Sequence, residues 1–155
     1  MIGAIPNPTR SITLNYPVNE VADVLNDLAL IHSHMNISGY EIKEKDSILN
    51  QWKISKGEFL SLGAIILVQL EELGEKTKVN IEVTRALGAY DNWVEVNNAN
   101  KHLDVILKSI SFGLNPPSQE EISKIQQTNQ TENNSDVFAS VVVVVLIAFT
   151  MFSIL

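Results

Sequence analysis

Few residues in this 155-residue chain have the types and spacing for catalytic or metal chemistry, and the three histidines are the first candidates. His32 and His34 flank one serine, and side chains two residues apart on an extended segment can bind the same metal ion. Catalytic zinc usually has three protein ligands, and no third ligand stands near this pair, so we predict a loop with two exposed histidines. His102 and Asp104 do not face each other if they lie on a helix, so they do not indicate an acid–base pair.

The other reactive residue types form no catalytic pattern. Cysteine is absent, which excludes disulfides, thiolate metal ligands and cysteine nucleophiles. The serines Ser55, Ser61 and Ser109 lack the surroundings of a nucleophile elbow, and the glycines form no phosphate-binding loop. We therefore predict that the chain is not an enzyme and that it uses no metal or other cofactor.

The charge of the chain is acidic and is not arranged in a basic stripe. Eighteen Asp and Glu residues outnumber eleven Lys and Arg residues, which gives a net charge of −7. Nucleic-acid binding depends on clustered Lys and Arg that neutralise phosphates. We therefore predict no nucleic-acid partner.

The last nineteen residues, Val137 to Leu155, contain no charged residue, no glycine and no proline. A helix of this length is about 28 Å long, close to the ~30 Å hydrocarbon core of a bilayer. The segment predicts one transmembrane helix, with a buried core helix and a lipid-anchor signal as weaker alternatives. Because the N-terminus has no cationic and apolar signal regions, the soluble domain is expected in the cytosol.

Residues 1–115 alternate between strand and helix patterns. Period-2 alternation predicts strands over 11–16, 40–45, 48–55, 64–73 and 77–86, and a short strand over 59–62. Helical spacing predicts a first helix from Pro17 to Ala29, followed by a loop over 32–39. A long helix follows, with Asp91 as its N-cap and Gly113 as its C-cap. Residues 116–136 are polar and acidic and predict a flexible tether with a helical start. The predicted organisation is therefore a domain (1–115), a tether (116–136) and a transmembrane span (137–155).

Three stretches of this domain resemble a known superfamily. Residues 11–21, SITLNYPVNEV, are similar to its first strand and its Pro-Val-x-x-Val helix start at Pro17, Val18 and Val21. Residues 68–81, VQLEELGEKTKVNI, are similar to its central meander, and the helix over 91–112 stands where its gripping helix would. The chain resembles the START-like superfamily (Bet v 1, polyketide cyclase, SRPBCC). Its helix-grip fold is α+β, with a curved antiparallel sheet gripping a long C-terminal helix.

The resemblance implies an apolar cavity between the sheet and the long helix that holds a lipid or another hydrophobic ligand. Arg85 has two interpretations: an ion pair with Asp91 or Glu82, or a contact to an acidic ligand headgroup. The other candidates either line such a cavity or simply fill the core. The full set of candidate lining residues is Trp52, Ile54, Ile65, Leu67, Val79, Ile81, Arg85, Trp93, Val96, Asn100, Leu103 and Leu107.

Together these features predict a membrane-anchored START-like domain that binds a lipid or other hydrophobic ligand at the bilayer surface. The alternative is a non-catalytic scaffold or subunit of a membrane complex, with a protein partner for the domain. A cyclase-like enzyme is the least favoured interpretation, because the sequence shows no acid–base constellation.

The predicted span gives a first test. Deleting residues 137–155 removes the long apolar segment, so most of the expressed protein should move from the sedimented membrane fraction to the supernatant. Replacing three of its valines with leucines should leave the protein in the membrane fraction, because leucine keeps the segment apolar. Unchanged sedimentation of the deleted chain would contradict the anchor.

Overall fold

A computed structural model of the protein describes residues 5–57, 63–85, 88, 90 and 92–132. The chain divides into two compact units, residues 1–117 and 118–155. Within the described ranges, no helix is both long enough and apolar enough to cross a membrane. The predicted span over 137–155 and the predicted strand over 59–62 lie outside the described residues.

The first unit contains an antiparallel sheet of five strands. These are β1 (Thr9–Leu14), β2 (Tyr40–Asp46), β3 (Gln51–Lys56), β4 (Ala64–Leu73) and β5 (Lys76–Arg85). The order across the sheet is β1-β5-β4-β3-β2, so four consecutive strands form a meander and the first strand pairs with the last. The predicted α+β architecture is confirmed, and β4–β5 forms the predicted hairpin around Gly74.

Alternation along the strands gives the sheet one apolar face. On β4 the side chains of Ala64, Ile66, Val68 and Leu70 are buried, while their neighbours are partly or fully exposed. β3 and β5 alternate in the same way. Since successive side chains on a strand point to opposite faces, this apolar face must be covered.

Three helices of the first unit supply apolar side chains to the same core. They are α1 (Val18–Asn26), α2 (Leu28–His34) and α3 (Trp93–Leu114). Asp27 separates α1 from α2, so the single predicted helix is two short ones, and α2 replaces the start of the predicted loop. On α3, the residues Val96, Ala99, Leu103, Ile106 and Ile110 follow the spacing of one helical face and join the core.

Side chains from both edge strands of the sheet contact α3. From the β1 edge, Arg10 forms an ion pair with Asp104. From the β2 edge, the hydroxyl of Tyr40 lies 2.8 Å from Nδ1 of His102. Because β1 and β2 are at opposite edges of one sheet, the sheet must curl for its edges to reach residues 102 and 104 of a single helix.

The residues that cap α3 are not the predicted ones. The N-cap is Asn92, whose side-chain oxygen accepts a hydrogen bond from the backbone N–H of Glu95 at 2.9 Å, and Asp91 lies outside the described residues. Gly113 lies inside the helix and does not cap it. A Cβ at this glycine would lie 2.5 Å from Cγ1 of Val24 and 2.8 Å from Cδ1 of Ile31. Glycine therefore allows α3 to approach α1 and α2.

The second unit begins with a helix, α4 (Gln119–Glu132). Ser118 and Glu121 form a capping box, in which the Glu121 carboxylate accepts from the backbone N–H of Ser118 at 2.8 Å. The hydrogen bonds from Ser118 lower the pKa of the Glu121 carboxyl group. The segment predicted as a tether thus contains a helix of fourteen residues.

The close approach at Gly113 gives a test of packing. Gly113→Ala inserts a methyl group between α3 and α1, and overpacking of this kind costs ~1–3 kcal/mol, which exceeds the gain of up to ~1 kcal/mol in helix propensity. The free energy of unfolding should therefore fall, measured by urea denaturation. Gly57→Ala is the matched control, because no atom of the described residues, its chain neighbours aside, lies within 4 Å of its added Cβ. Equal effects of the two variants would contradict the assigned role of Gly113.

Candidate functional site

The layer between the sheet and α3 holds most of the predicted ligand-lining residues. Their side chains form one apolar cluster with α1 and α3, and Leu107 is partly buried against it. This placement fits both interpretations of the sequence, a cavity lining and a filled core. The residues that share this layer are Trp52, Ile54, Val79, Ile81, Val96, Leu103 and Leu107.

Ile65 and Leu67 differ from their predicted placement, because they lie on the opposite face of the sheet. Their neighbours on β4 are the buried ones, so the pleat directs these two side chains away from α3. They contribute to a groove of about 430 Å³ together with charged residues such as Glu44 and Lys53.

Three other candidates lie at the margins of the inner layer. Trp93 is 68% exposed at the start of α3 and is not buried in the core. Asn100 is partly buried, and its side-chain amide donates to the backbone carbonyl of Val96 at 3.1 Å. Nε of Arg85 lies 3.1 Å from a carboxylate oxygen of Glu95. Arg85 therefore forms an ion pair with Glu95, a partner that the sequence did not predict; of the two predicted partners, Asp91 lies outside the described residues.

A polar cluster that the sequence did not predict lies between α2, α3 and β2. His32 is only 4% exposed, so the prediction of an exposed histidine at this position is wrong, whereas His34 is exposed. Nε2 of His32 lies 2.9 Å from the hydroxyl oxygen of Ser109, which is fully buried on α3. The helical spacing of Leu28, Ile31 and His32 on α2 is the signal that could have placed His32 on a buried stripe.

The hydrogen bonds of Ser109 determine which ring nitrogen of His32 carries its proton. The Ser109 hydroxyl donates to the backbone carbonyl of Val105 at 2.7 Å, because a carbonyl oxygen can only accept. With its single proton used, Ser109 accepts from His32, and Nε2 of His32 is the protonated nitrogen. His32 therefore does not act as a base toward Ser109, and the two do not form a nucleophile–base pair.

Aromatic and cationic groups surround the same histidine. The ring of Tyr40 packs edge-on against His32 with 5.0 Å between ring centroids, and it contacts His102 in the same manner at 5.8 Å. The ammonium of Lys56 lies 4.9 Å from the centroid of the Tyr40 ring and donates to the carbonyl of Ser38 at 2.7 Å. Two imidazoles, a phenol and a cation thus converge where β2 meets the helices.

Burial and, to a smaller extent, the positive charge of Lys56 together lower the pKa of His32 from 6.5 to about 4. His32 is consequently neutral near pH 7. Its neutral ring can both donate to Ser109 and pack against Tyr40 without leaving a charge in the core.

Comparison with models of protein families and with curated protein sequences finds no match. Solved structures do match. CalU16 from Micromonospora echinospora is 15% identical, with a TM-score of 0.54 over 81% of this chain and 88% of that one. An uncharacterised protein from Bacillus thuringiensis is 10% identical, with a TM-score of 0.54 over 70% and 98% of the two chains. This chain has the helix-grip fold. The resemblance to the Bet v 1 and START-like fold is therefore confirmed, and at these identities it concerns the fold alone.

The prediction that the chain is not an enzyme is wrong. That prediction rested only on the lack of a catalytic motif in the sequence. The fold that this chain shares with CalU16 gives that lack no weight against catalysis.

The buried His32 gives a pH test. Between pH 6.5 and 4 the unfolded chain binds a proton at His32 that the folded chain does not, so stability is greatest above pH 6.5 and is lost as pH falls toward 4. The pKa difference corresponds to at most about 3 kcal/mol in the free energy of unfolding, measurable by urea denaturation at several pH values. His32→Gln should flatten this dependence, whereas His34→Gln, on the exposed side of the same helix, should not. A fall of the same size in His32→Gln would assign the pH dependence to other groups.

Proposed function

We propose that the domain binds a lipid or another hydrophobic ligand between the curved sheet and α3. The observation that carries this proposal is the apolar layer formed by the sheet and α3, held between two edge strands that both bind that helix. Hydrophobic ligand sites are mostly apolar, with a few polar groups that fix the orientation of the ligand. The Tyr40–His102 pair at the β2 edge and the Arg85–Glu95 pair at the start of α3 supply such polar groups at the margins of the layer.

The proposal includes attachment to a membrane through residues 137–155. The composition of that segment supports it, because nineteen uncharged residues match the thickness of a bilayer core. A lipid ligand would then be drawn from the bilayer to which the domain is attached. The alternative role, a scaffold subunit of a membrane complex, has no support from the comparisons.

Catalysis on the bound ligand is a second candidate. Its support is the 2.8 Å hydrogen bond between Tyr40 and His102, since a phenol and an imidazole are both groups that transfer protons. Incubation of the purified protein with its extracted ligand, followed by mass spectrometry, would detect a change in ligand mass. Tyr40→Phe should abolish that change while leaving the ligand bound.

A substitution in the inner layer tests ligand binding. Ala99 is buried on the α3 face that joins the core, so Ala99→Leu fills space that a ligand would occupy. Residues 1–117, a unit with its own hydrophobic core, should carry a hydrophobic molecule detectable by native mass spectrometry and organic extraction. A steric penalty of ~1–3 kcal/mol, as for overpacking, corresponds to roughly 5- to 150-fold weaker binding.

The matched control is Ala29→Leu, the same substitution at an exposed position of α2. Circular dichroism checks that each variant is folded. A folded wild-type fragment with no bound molecule, and a loss of stability as the only effect of Ala99→Leu, would show that the layer is an ordinary filled core.

A further inference from the structure

The turn between β2 and β3 presents two adjacent apolar side chains to solvent. Ile48 is 92% exposed and Leu49 is 55% exposed. A scattered apolar residue on a surface is ordinary, but here two neighbouring apolar side chains at the tip of a hairpin each leave more than half of their surface exposed. Leu73, at the next turn toward the centre of the sheet, is also exposed. We call Ile48, Leu49 and Leu73 the apolar tip.

Hydrogen bonds hold the apolar tip in place. The carboxylate of Asp46 accepts from the backbone N–H of Ile48 at 2.8 Å and from that of Leu49 at 3.0 Å. Asn50 adopts a left-handed conformation with φ of 48°, and its carbonyl accepts from the N–H of Leu70 at 2.9 Å. The turn is therefore fixed to β4, and its exposed side chains stand on an ordered backbone.

The chain leaves the first unit at the same end of the sheet. The strand register places the β4–β5 turn beside the end of β1, where Leu14 pairs with Thr77. Just beyond this point the hydroxyl of Tyr16 donates to the side chain of Asn115, the residue that ends α3, at 2.8 Å. The polypeptide that continues toward residues 137–155 thus starts from the end that carries the apolar tip.

The charges around the apolar tip indicate which surface it fits. Asp46, Glu72 and Glu75 are exposed beside it, and Lys45 and Lys76 are the exposed cations of the same two turns. A site with more carboxylates than cations gains nothing from an anionic membrane. Adjacent aliphatic side chains suit the boundary between headgroups and acyl chains of a bilayer.

We infer that the apolar tip docks the domain onto a zwitterionic bilayer surface by inserting Ile48 and Leu49 at the interface. This inference rests on the membrane attachment in the proposed function. It fixes the orientation of the domain: the end of the sheet with the β2–β3 and β4–β5 turns faces the bilayer. A second exposed apolar pair among the described residues, Trp93 and Val94, begins α3 at the opposite end and would face water.

The absence of cysteine from the sequence permits a direct test. A single Ser47→Cys substitution next to the apolar tip carries an environment-sensitive fluorophore in the full chain, reconstituted into phosphatidylcholine nanodiscs containing nitroxide-labelled lipid. The control label is at Gly57→Cys, which is separated from the tip by strand β3, about 20 Å long. We expect blue-shifted emission and strong quenching at position 47, aqueous emission at position 57, and loss of both signals at position 47 in Ile48→Ser/Leu49→Ser.

Each outcome separates this inference from the proposed attachment. Incorporation of the chain with an aqueous, unquenched label at position 47, or with equal quenching at both positions, overturns docking by the apolar tip and leaves attachment standing. Stronger quenching when phosphatidylserine replaces part of the phosphatidylcholine overturns the assignment to a zwitterionic surface. If the chain does not incorporate but the position 47 label is quenched on added vesicles, the tip docks without an anchor. If neither occurs, both proposals fail.

Discussion

The curl of the sheet around α3 is the constraint on which the rest of the first unit depends. A flat five-stranded sheet could not bring Arg10 on one edge strand and Tyr40 on the other to residues 104 and 102 of the same helix. Once the sheet is curled, its concave face encloses the helix, and the apolar side chains of the strands pack against α3 together with α1. The apolar layer and the polar groups at its margins are both consequences of this one geometry.

In the polar cluster at the β2 edge, the packing of the helices against the sheet determines the burial and the charge of His32. Ile31 and Met35 are buried beside His32. The imidazole is therefore removed from water together with these two apolar side chains. The cost of burying it is kept low because its neutral form donates to Ser109 and packs against Tyr40. The ring remains neutral mainly because burial disfavours its charged form, and the positive charge of Lys56 lowers its pKa in the same direction.

Much of the fold could be predicted from residue patterns. The β4–β5 hairpin follows from alternation on either side of Gly74, and α3 follows from the repeat of Val96, Ala99 and Leu103. Local patterns failed where distant segments meet. Gly113 has the composition signal of a helix end, yet α1 and α2 pack against it, and His32 has the signal of a polar loop, yet it is buried against Ser109, 77 residues away. The faces of β4 were ambiguous for a related reason, because its run of apolar residues hides the alternation that separates Ile65 and Leu67 from Ile66.

The pairing of the first strand with the last has a consequence for how the chain folds as it is made. Strands β2 to β5 pair with sequence neighbours, so each hairpin can close as soon as its two strands exist. Strand β1 is synthesised first, but Ser11 must wait for Asn80, 69 residues later. During synthesis β1 has no strand to pair with until β5 has formed. The oldest strand of the nascent chain is thus the last to pair within the sheet, and the long loop that this pairing closes makes it the slowest strand pairing expected.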